Sequence, residues 1–201
     1  YQLDLMTTSK LDIVSSLNIS SDHLDRYGTE QSYINSKIKI FRHLNTEGTI
    51  VIQDELYYKY FNVMRMRSST KIIYTSTSKI LSKGLSLINS NIIIKNCFDI
   101  QNLQKRLSIP ITLGGRHNQS NIITALSICL YLGCDVQTLL LYLRDFNCLP
   151  HRMNLINKKE NLLFIDDSKA TNVAAAKQAL LSYNKIHWIL GGKKKGGEEE
   201  L

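Results

Sequence analysis

Short apolar runs alternate along the chain with longer segments in which apolar residues recur every three or four positions. The short runs are rich in Ile and Val and are bounded by polar or turn residues, which is typical of β-strands. This pattern predicts strands at 49–52, 71–74, 91–94, 162–166 and 187–190, and one more from Asp12 onward within 11–19. The helical spacing predicts helices at 31–44, 121–132, 136–146 and 173–181. Because strand, helix and strand recur, the predicted fold class is α/β with much parallel pairing.

Leu149-Pro150 is the predicted domain boundary, since proline stops a helix and restricts the residue before it. We expect one domain over 1–149 and a second over 150–201. The second is predicted to hold a β-α-β unit made of strand 162–166, helix 173–181 and strand 187–191. Ligands bind at the carboxyl ends of strands in an open parallel sheet. The polar residues at those ends are Asp166, Asp167, Ser168 and Lys193 to Lys195.

The composition is that of an ordinary globular protein, with 43% hydrophobic and 21% charged residues among 201. The net charge of +8 fits an anionic partner, but the basic residues are scattered, and a run occurs only at Lys193 to Lys195. The four cysteines have no C-x-x-C spacing, which favours a reducing compartment, the cytoplasm. No apolar stretch reaches the roughly 18 residues of a membrane span, and no signal peptide is visible.

Two features near the amino end could hold a metal ion. His23 lies among acidic residues in the loop 21–27 after a predicted strand, although such loops are more often simply solvated. Lys37 falls on the apolar face of helix 31–44, beside Tyr33, Ile34, Ile38 and Phe41. Its side chain either extends outward to water, or is buried with a lowered pKa that makes the neutral amine available.

Three further segments carry candidate chemistry. Asn118 and Asn121, three residues apart, could cap the helix that follows or present an amide to a purine edge. Arg152 follows the boundary, where a guanidinium suits phosphate recognition, or a surface ion pair. The segment 166–172, Asp-Asp-Ser-Lys-Ala-Thr-Asn, is the most specific, because it places carboxylates, a lysine and a hydroxyl between a strand and a helix start.

Taken in order, these segments resemble the Mur ligase family, and within it the branch that adds D-glutamate. The matching segments are Tyr1-Gln2-Leu3, Asn18 to Tyr27, Lys37, Gly115 to Asn121, His151-Arg152, Asp167 to Asn172 and Gly191 to Gly196. Asp-Ser-Lys-Ala-Thr-Asn separates this branch from the others, although Asp166 stands where an Asn is expected. The resemblance implies part of the central ATPase domain, followed by the start of a Rossmann-like C-terminal domain.

The resemblance also implies a role for each matching side chain. His23 and Lys37, the latter carbamylated by CO₂, would hold a magnesium ion, and Lys169 would join them as a catalytic residue. The side chains that would contact ATP are Asn118 and Asn121 at the adenine, together with Arg152 and Asp167. The substrate contacts would be Gln2 near the muramoyl sugar, and Lys169, Thr171 and Lys195 near D-glutamate and the reacting phosphate.

The implied reaction is ATP-dependent formation of an amide through an acyl phosphate, in peptidoglycan precursor synthesis. The partners would be UDP-N-acetylmuramoyl-L-alanine, D-glutamate and ATP with Mg²⁺, and a monomer is expected. One alternative is another ligase of the superfamily, which adds a different amino acid or acts as a folylpolyglutamate synthase. A second is a basic nucleic-acid-binding module, supported by charge alone, since no basic helix or aromatic-interleaved basic stripe is present.

One element of such an enzyme, the phosphate loop G-x-x-x-x-G-K-[ST], does not occur among the 201 residues. The resemblance places it upstream of Tyr1, together with an acidic magnesium ligand and a nucleotide-binding N-terminal domain. It places the remainder of the C-terminal domain after Leu201. We therefore expect the 201 residues by themselves to lack ligase activity.

Overall fold

The computed structural model describes residues 2–19, 23–64, 68–100, 102–110, 113, 115–146 and 148–192. The α/β class is confirmed. The chain forms two compact units that interleave in sequence: unit 1 comprises 1–107 and 120–139, and unit 2 comprises 108–119 and 140–201. The domain boundary at Leu149-Pro150 stays a prediction.

Unit 1 contains a six-stranded sheet whose strands lie in sequence order. The strands are β1 (Leu11–Ser16), β2 (Leu44–Gln53), β3 (Lys71–Ser76), β4 (Gly84–Ile88), β5 (Asn91–Lys95) and β6 (Leu103–Arg106). Neighbours pair in parallel from β1 to β4, and β4, β5 and β6 pair antiparallel. The predicted strands in β1, β2, β3 and β5 are therefore confirmed, whereas β4 and β6 were not predicted.

The β4–β5 hairpin turns at Asn89-Ser90, whose φ angles are 49° and 59°. Two successive positive φ angles in a two-residue turn match the twist of the flanking strands. The turn explains why the sheet changes from parallel to antiparallel at β4.

The helices are α1 (Gln2–Leu5), α2 (Leu24–Tyr27), α3 (Glu30–Ile38), α4 (Asp54–Met64), α5 (Arg116–Tyr131), α6 (Val136–Arg144) and α7 (Val173–Leu180). Thr29 caps α3 by accepting a hydrogen bond from the Ser32 amide. The helix predicted at 31–44 is too long, because a 3₁₀ turn occupies Lys39–His43 and Leu44 already belongs to β2. The other three predicted helices are confirmed with shifted ends, and α4 was not predicted.

The core of unit 1 is built on β2. Ile50, Val51 and Ile52 are completely buried, and alternate side chains of a strand point to opposite faces. Ile50 and Ile52 belong to one apolar cluster with residues of β1, α3, α4 and the 3₁₀ turn, among them Val14, Ile34, Ile38, Phe41, Tyr60 and Met64. Burying both faces of β2 explains its continuous apolar run.

Unit 2 contains an antiparallel hairpin of β7 (Asn154–Lys159) and β8 (Leu162–Asp166), followed by α7. The strand predicted at 162–166 is confirmed, but its partner is β7, which was not predicted. The strand predicted at 187–190 is wrong: the described residues 186–192 are irregular, and Ile189 is 97% exposed. High β-propensity does not suffice without a neighbouring strand to pair the backbone groups. The predicted β-α-β unit is therefore not formed within the described residues.

Gly84 offers a test of the close approach between β3 and β4. Its φ is +121°, and a Cβ added there would overlap the carbonyl oxygen of Tyr74, a backbone atom. Gly133 has a φ of +87° with nothing within 4 Å of its would-be Cβ. We expect Gly84→Ala to lower the free energy of unfolding by roughly 1–3 kcal/mol more than Gly133→Ala, since only the first adds overlap to strain. Urea unfolding followed by circular dichroism measures both, and equal losses would show that the strands are further apart.

Candidate functional site

His23 and Lys37 lie beside the same aromatic ring in unit 1. The ring centroids of His23 and Tyr33 are 6.4 Å apart, and Lys37 Nζ lies 5.2 Å from the centroid of Tyr33. His23 immediately precedes α2 in a left-handed conformation, with φ 53°. Residues 21 and 22 of the predicted loop 21–27 lie outside the described residues. The two side chains that were predicted to share a metal thus both lie near Tyr33, and the metal site itself stays a prediction.

Lys37 is not on the buried face of α3, which corrects the sequence prediction. Tyr33, Ile34 and Ile38 are buried as expected, but Lys37 is exposed and Ser36 is buried instead. Residues four apart are neighbours on a helix surface, so Lys37 borders the apolar stripe at Tyr33. Its long side chain then extends along the ring toward water.

Asp4 joins α1 to α2 and α3 through a hydrogen-bond network that the sequence did not reveal. Its carboxylate accepts hydrogen bonds from Tyr27 Oη (2.8 Å), Ser36 Oγ (2.9 Å) and the Arg26 guanidinium (3.2 Å). Lys39 Nζ lies 3.7 Å away. The hydrogen bonds from Tyr27 and Ser36 are the main reason that the pKa of Asp4 falls to about 2. Gln2 lies in the same short helix and is exposed.

The carboxyl ends of β2 and β3 carry a second polar cluster that sequence reasoning missed. Gln53 donates a hydrogen bond to Ser120 Oγ in the first turns of α5. The next residue, Asp54, is buried, and its carboxylate lies 2.7 Å from Lys79 Nζ. The pKa of Lys79 is raised by this hydrogen bond and charge. This is the edge at which open α/β sheets bind ligands.

The two predicted asparagines both lie in the first turns of α5. Asn118 is half-buried and Asn121 is exposed. Three residues along a helix nearly complete a turn, so the two amides project from neighbouring positions of its surface. The helix therefore presents both amides on one side of its amino-terminal end.

In unit 2, the turn that carries Arg152 lies against the loop after β8. The Lys169 amide donates to the His151 carbonyl, and the Met153 amide donates to Asp167 Oδ1, both at 3.0 Å. The side chains of Arg152 and Lys169 belong to exposed residues. The structure therefore brings together two segments that were singled out separately in the sequence.

Asp166, the residue that departs from the expected Asn, has two partners. Its carboxylate accepts a hydrogen bond from the Ser168 amide at 2.9 Å and lies 2.6 Å from His151 Nδ1. These two contacts, the amide first, lower the pKa of Asp166 to about 2. The additional carboxylate in this chain thus has hydrogen-bond partners nearby, the Ser168 amide and His151.

The helix after this loop begins at a capped residue. Asn172 accepts a hydrogen bond from the Ala175 amide at 2.8 Å and caps α7. Thr171, just before it, is exposed, and its amide donates to the Lys169 carbonyl at 2.9 Å. Lys195 lies outside the described residues.

His117 and Tyr183 are half-buried residues of unit 2, each with a buried polar atom, that sequence reasoning did not single out. Neither His117 Nδ1 nor Tyr183 Oη has a hydrogen-bond partner among the described residues. Burial lowers the pKa of His117 while the charge of Asp167 raises it. Burial also raises the pKa of Tyr183, to which Asp167 adds. Unpaired buried polar atoms near a carboxylate fit a site for a polar ligand. The signal that could have found His117 is its position next to Asn118.

The described residues contain no group of three or more His, Cys, Asp or Glu side chains placed to hold a metal ion. Within the same ranges, no helix has both the length and the apolarity that a bilayer crossing requires. An open polar depression in unit 1 is lined by Asp12, Asn45, Thr46, Glu47, Gly48 and Tyr131. It lies toward the amino ends of β1 and β2, away from the edge that binds ligands in such sheets.

A comparison with protein families matches the Mur ligase middle domain to residues 2–129. Among curated proteins, a UDP-N-acetylmuramoylalanine--D-glutamate ligase from Rickettsia bellii (strain RML369-C) is 34% identical over 204 residues. The alignment covers 100% of this chain and 45% of that protein. A ligase of the same name from Trichlorobacter lovleyi is also 34% identical, over 98% of this chain and 43% of its own length. The chain therefore spans less than half the length of these relatives.

Solved structures share the fold at lower identity. MurF from Acinetobacter baumannii has a TM-score of 0.60 at 23% identity, covering 86% of this chain and 38% of the other. MurF ligase from Thermotoga maritima, in complex with ADP, has a TM-score of 0.60 at 18% identity, covering 86% and 39%. A pseudomurein peptide ligase type C from Methanothermus fervidus has a TM-score of 0.61 at 20% identity, covering 87% and 41%.

The Asp4 network predicts a specific dependence of stability on pH. Because the pKa of Asp4 is about 2 in the folded chain, below the ordinary 3.8, its carboxylate stabilises the fold above about pH 4. That contribution is lost as the pH falls toward 2. We expect the difference in unfolding free energy between the unaltered chain and Asp4→Asn to shrink between pH 4 and pH 2, as measured by urea unfolding. Asp25→Asn, an exposed carboxylate of α2, is the control. A difference for Asp4→Asn that does not change with pH would show that the network is not formed.

Proposed function

Because this chain belongs to the Mur ligase family, we propose that it supplies the ATP-binding part of a ligase that adds D-glutamate to UDP-N-acetylmuramoyl-L-alanine. The observation that carries the proposal is the segment Asp-Ser-Lys-Ala-Thr-Asn at 167–172, held against the turn that contains Arg152. The curated relatives named for D-glutamate ligation, matched over the whole chain, support this branch of the family. The setting would be peptidoglycan precursor synthesis in the cytoplasm, with the enzyme as a monomer.

ATP is proposed to bind at the start of α5 and at the loop after β8. Asn118 and Asn121 would pair with the adenine edge, and Asp167 would accept a hydrogen bond from the ribose. Arg152 is exposed, and its guanidinium would contact the phosphates because it is always charged and carries several hydrogen-bond donors. The unpaired His117 Nδ1 and Tyr183 Oη support a polar ligand on the side of Asp167.

The reacting carboxylate and D-glutamate are proposed to meet beside Lys169 and Thr171. Lys169 is exposed and its backbone is fixed by the bond to His151, so its ammonium is available to balance the negative charge of a transferring phosphoryl group. Thr171 would donate its hydroxyl to the same group. Lys195 would bind a carboxylate of D-glutamate, and Gln2 would contact the muramoyl sugar.

Magnesium is proposed to bind at His23 and Lys37. Both groups lie beside the ring of Tyr33, and the side chain of Lys37 is exposed to CO₂. CO₂ would add to the neutral amine, which gives up one proton to water as the carbamate forms. Carbamylation replaces the cation by an anionic oxygen donor of the kind that magnesium prefers. A bound magnesium ion would neutralise charge on the phosphates.

The proposed reaction proceeds in two steps. The L-alanine carboxylate attacks the γ-phosphate of ATP, giving an acyl phosphate and ADP. The amine of D-glutamate then attacks the acyl carbon, and phosphate leaves from a tetrahedral intermediate. The cationic side chains act by holding three reactants in place and balancing charge, which is the usual source of rate in phosphoryl transfer.

A substrate screen tests the proposed specificity. The complete gene product that contains this chain is assayed for ADP release with UDP-N-acetylmuramoyl-L-alanine and one of D-glutamate, L-glutamate, L-lysine or diaminopimelate. A parallel assay offers a folate together with L-glutamate. We expect turnover with D-glutamate to exceed the others by at least about 100-fold, because a site with polar groups placed for one acid leaves them unpaired with another. A preference for L-lysine or diaminopimelate would assign another Mur branch. A preference for L-glutamate with a folate substrate would assign a folylpolyglutamate synthase.

The proposed carbamate on Lys37 predicts chemical rescue. Lys37→Ala should lower kcat by about 100-fold or more, since the loss of a metal ligand removes charge stabilisation. Millimolar acetate or formate should restore part of the rate, because a free carboxylate can occupy the vacated position. Lys59→Ala, which removes another exposed lysine beside a tyrosine ring, serves as the control and should keep its rate. A Lys37→Ala enzyme that turns over normally, or that no carboxylate improves, would argue against the modification.

A further inference from the structure

Three hydrogen bonds connect the Arg152 turn to the loop after β8. Two have already been described: the Lys169 amide donates to the His151 carbonyl, and the Met153 amide donates to the Asp167 carboxylate. The third joins side chains: His151 Nδ1 lies 2.6 Å from Asp166 Oδ2. Arg152 is therefore held through both of its sequence neighbours, although its own side chain remains exposed.

The backbone of this turn is unusual for residues that carry side chains. His151 has a φ of 64° and Met153 a φ of 47°, both in the left-handed region. Such conformations persist only where surrounding contacts favour them over the ordinary ones. One contact lies within the turn, where the Arg152 amide donates to the Leu149 carbonyl at 3.2 Å. The other three are the bonds to the end of β8 and the loop after it, so the shape of the turn depends in part on that segment.

We propose that His151 and Asp166 are positioning residues, whose side-chain contact holds Arg152 and the segment from Asp167 to Lys169 in the arrangement that binds the nucleotide. This inference rests on the proposed nucleotide site. The Ser168 amide anchors one oxygen of Asp166, and the imidazole engages the other. A ring nitrogen that donates to a carboxylate makes a stronger hydrogen bond than a neutral pair does.

The chemistry of the pair suggests a conservative variant. In Asp166→Asn the amide oxygen can still accept from the Ser168 amide, and its NH₂ can donate to His151 Nδ1 in the other tautomer. The connection is kept and only the charge is lost. In Asp166→Ala both bonds are lost. The left-handed turn then keeps only the bonds donated by the amides of Arg152, Met153 and Lys169.

Two measurements on the complete gene product test the proposal. The first is the Kd for ADP, measured by calorimetry with no amino acid present, so that it does not depend on which substrate is ligated. The second is amide hydrogen exchange in peptides that contain Met153 and Lys169, whose amides donate the bonds to Asp167 and His151. Asp145→Ala is the control, because it breaks an exposed ion pair of the same unit, with Arg144, that lies outside the proposed site.

We expect Asp166→Ala to raise the Kd for ADP by about tenfold and to speed exchange at both amides, as the loss of a charged hydrogen bond implies. Asp166→Asn should stay within about twofold in Kd, with exchange unchanged, and Asp145→Ala should match the unaltered protein. Faster exchange with an unchanged Kd would overturn the positioning role, since the pair would then maintain only local structure. Unchanged exchange in Asp166→Ala would overturn the contact itself. Loss of D-glutamate specificity in the substrate screen, with ADP binding intact, would count against the proposed function alone.

Discussion

The parallel pairing of β2 with β1 and β3 is the constraint on which unit 1 depends. Five successive pairs join β2 to β3, from Thr49 with Lys71 to Gln53 with Thr75. Complete burial of Ile50, Val51 and Ile52 fixes this register, because a shift by one residue would turn each side chain to the opposite face. The register in turn fixes where the strands end. Gln53 and Asp54 therefore emerge at the carboxyl edge, next to Ser120 and Lys79.

The same edge accounts for the position of the candidate metal ligands. β1 ends at Ser16, and the chain passes on from its carboxyl end to His23 and α2. Asp4 connects α1 to α2 and α3 through its hydrogen bonds with Tyr27 and Ser36. The helix that carries Lys37 is therefore held to the helix that follows His23. Neither His23 nor Lys37 is buried. Their chemistry thus depends on a scaffold of hydrogen bonds rather than on a low-dielectric pocket.

In unit 2 the candidate site residues are positioned by hydrogen bonds between one turn and one loop. The turn that contains Arg152 and the loop after β8 are joined by hydrogen bonds that the amides of Lys169 and Met153 donate. Helix α7 starts immediately after this loop, at the cap Asn172. The residues of the segment 166–172 therefore fall into two groups. Asp166 and Asn172 at its ends make structural contacts, while Lys169 and Thr171 between them are exposed.

The sequence predicted elements best where a run was apolar on both faces, as in β2, β3 and β5. It missed β6 and β7, which are rich in polar residues, and a strand such as Asn154–Lys159 is defined by its partner more than by its own residues. It also missed β4, whose residues are mostly buried. The strand predicted at 187–190 is wrong because no neighbouring strand pairs with it among the described residues. Family motifs indicated the candidate site residues, but the sequence did not reveal which side chains form hydrogen bonds around them. The contact of His151 with Asp166 joins positions 15 apart, and that of Asp4 with Tyr27 joins positions 23 apart. Neither spacing has a periodic signal.

The central proposal is that Arg152 and the loop after β8 bind a nucleotide. A crystal structure of the complete gene product with ADP and magnesium tests it most directly. The account predicts that Arg152 contacts a phosphate, that Asp167 contacts the ribose and that Asn118 or Asn121 contacts the adenine. A nucleotide bound elsewhere, with these side chains in water, would contradict it.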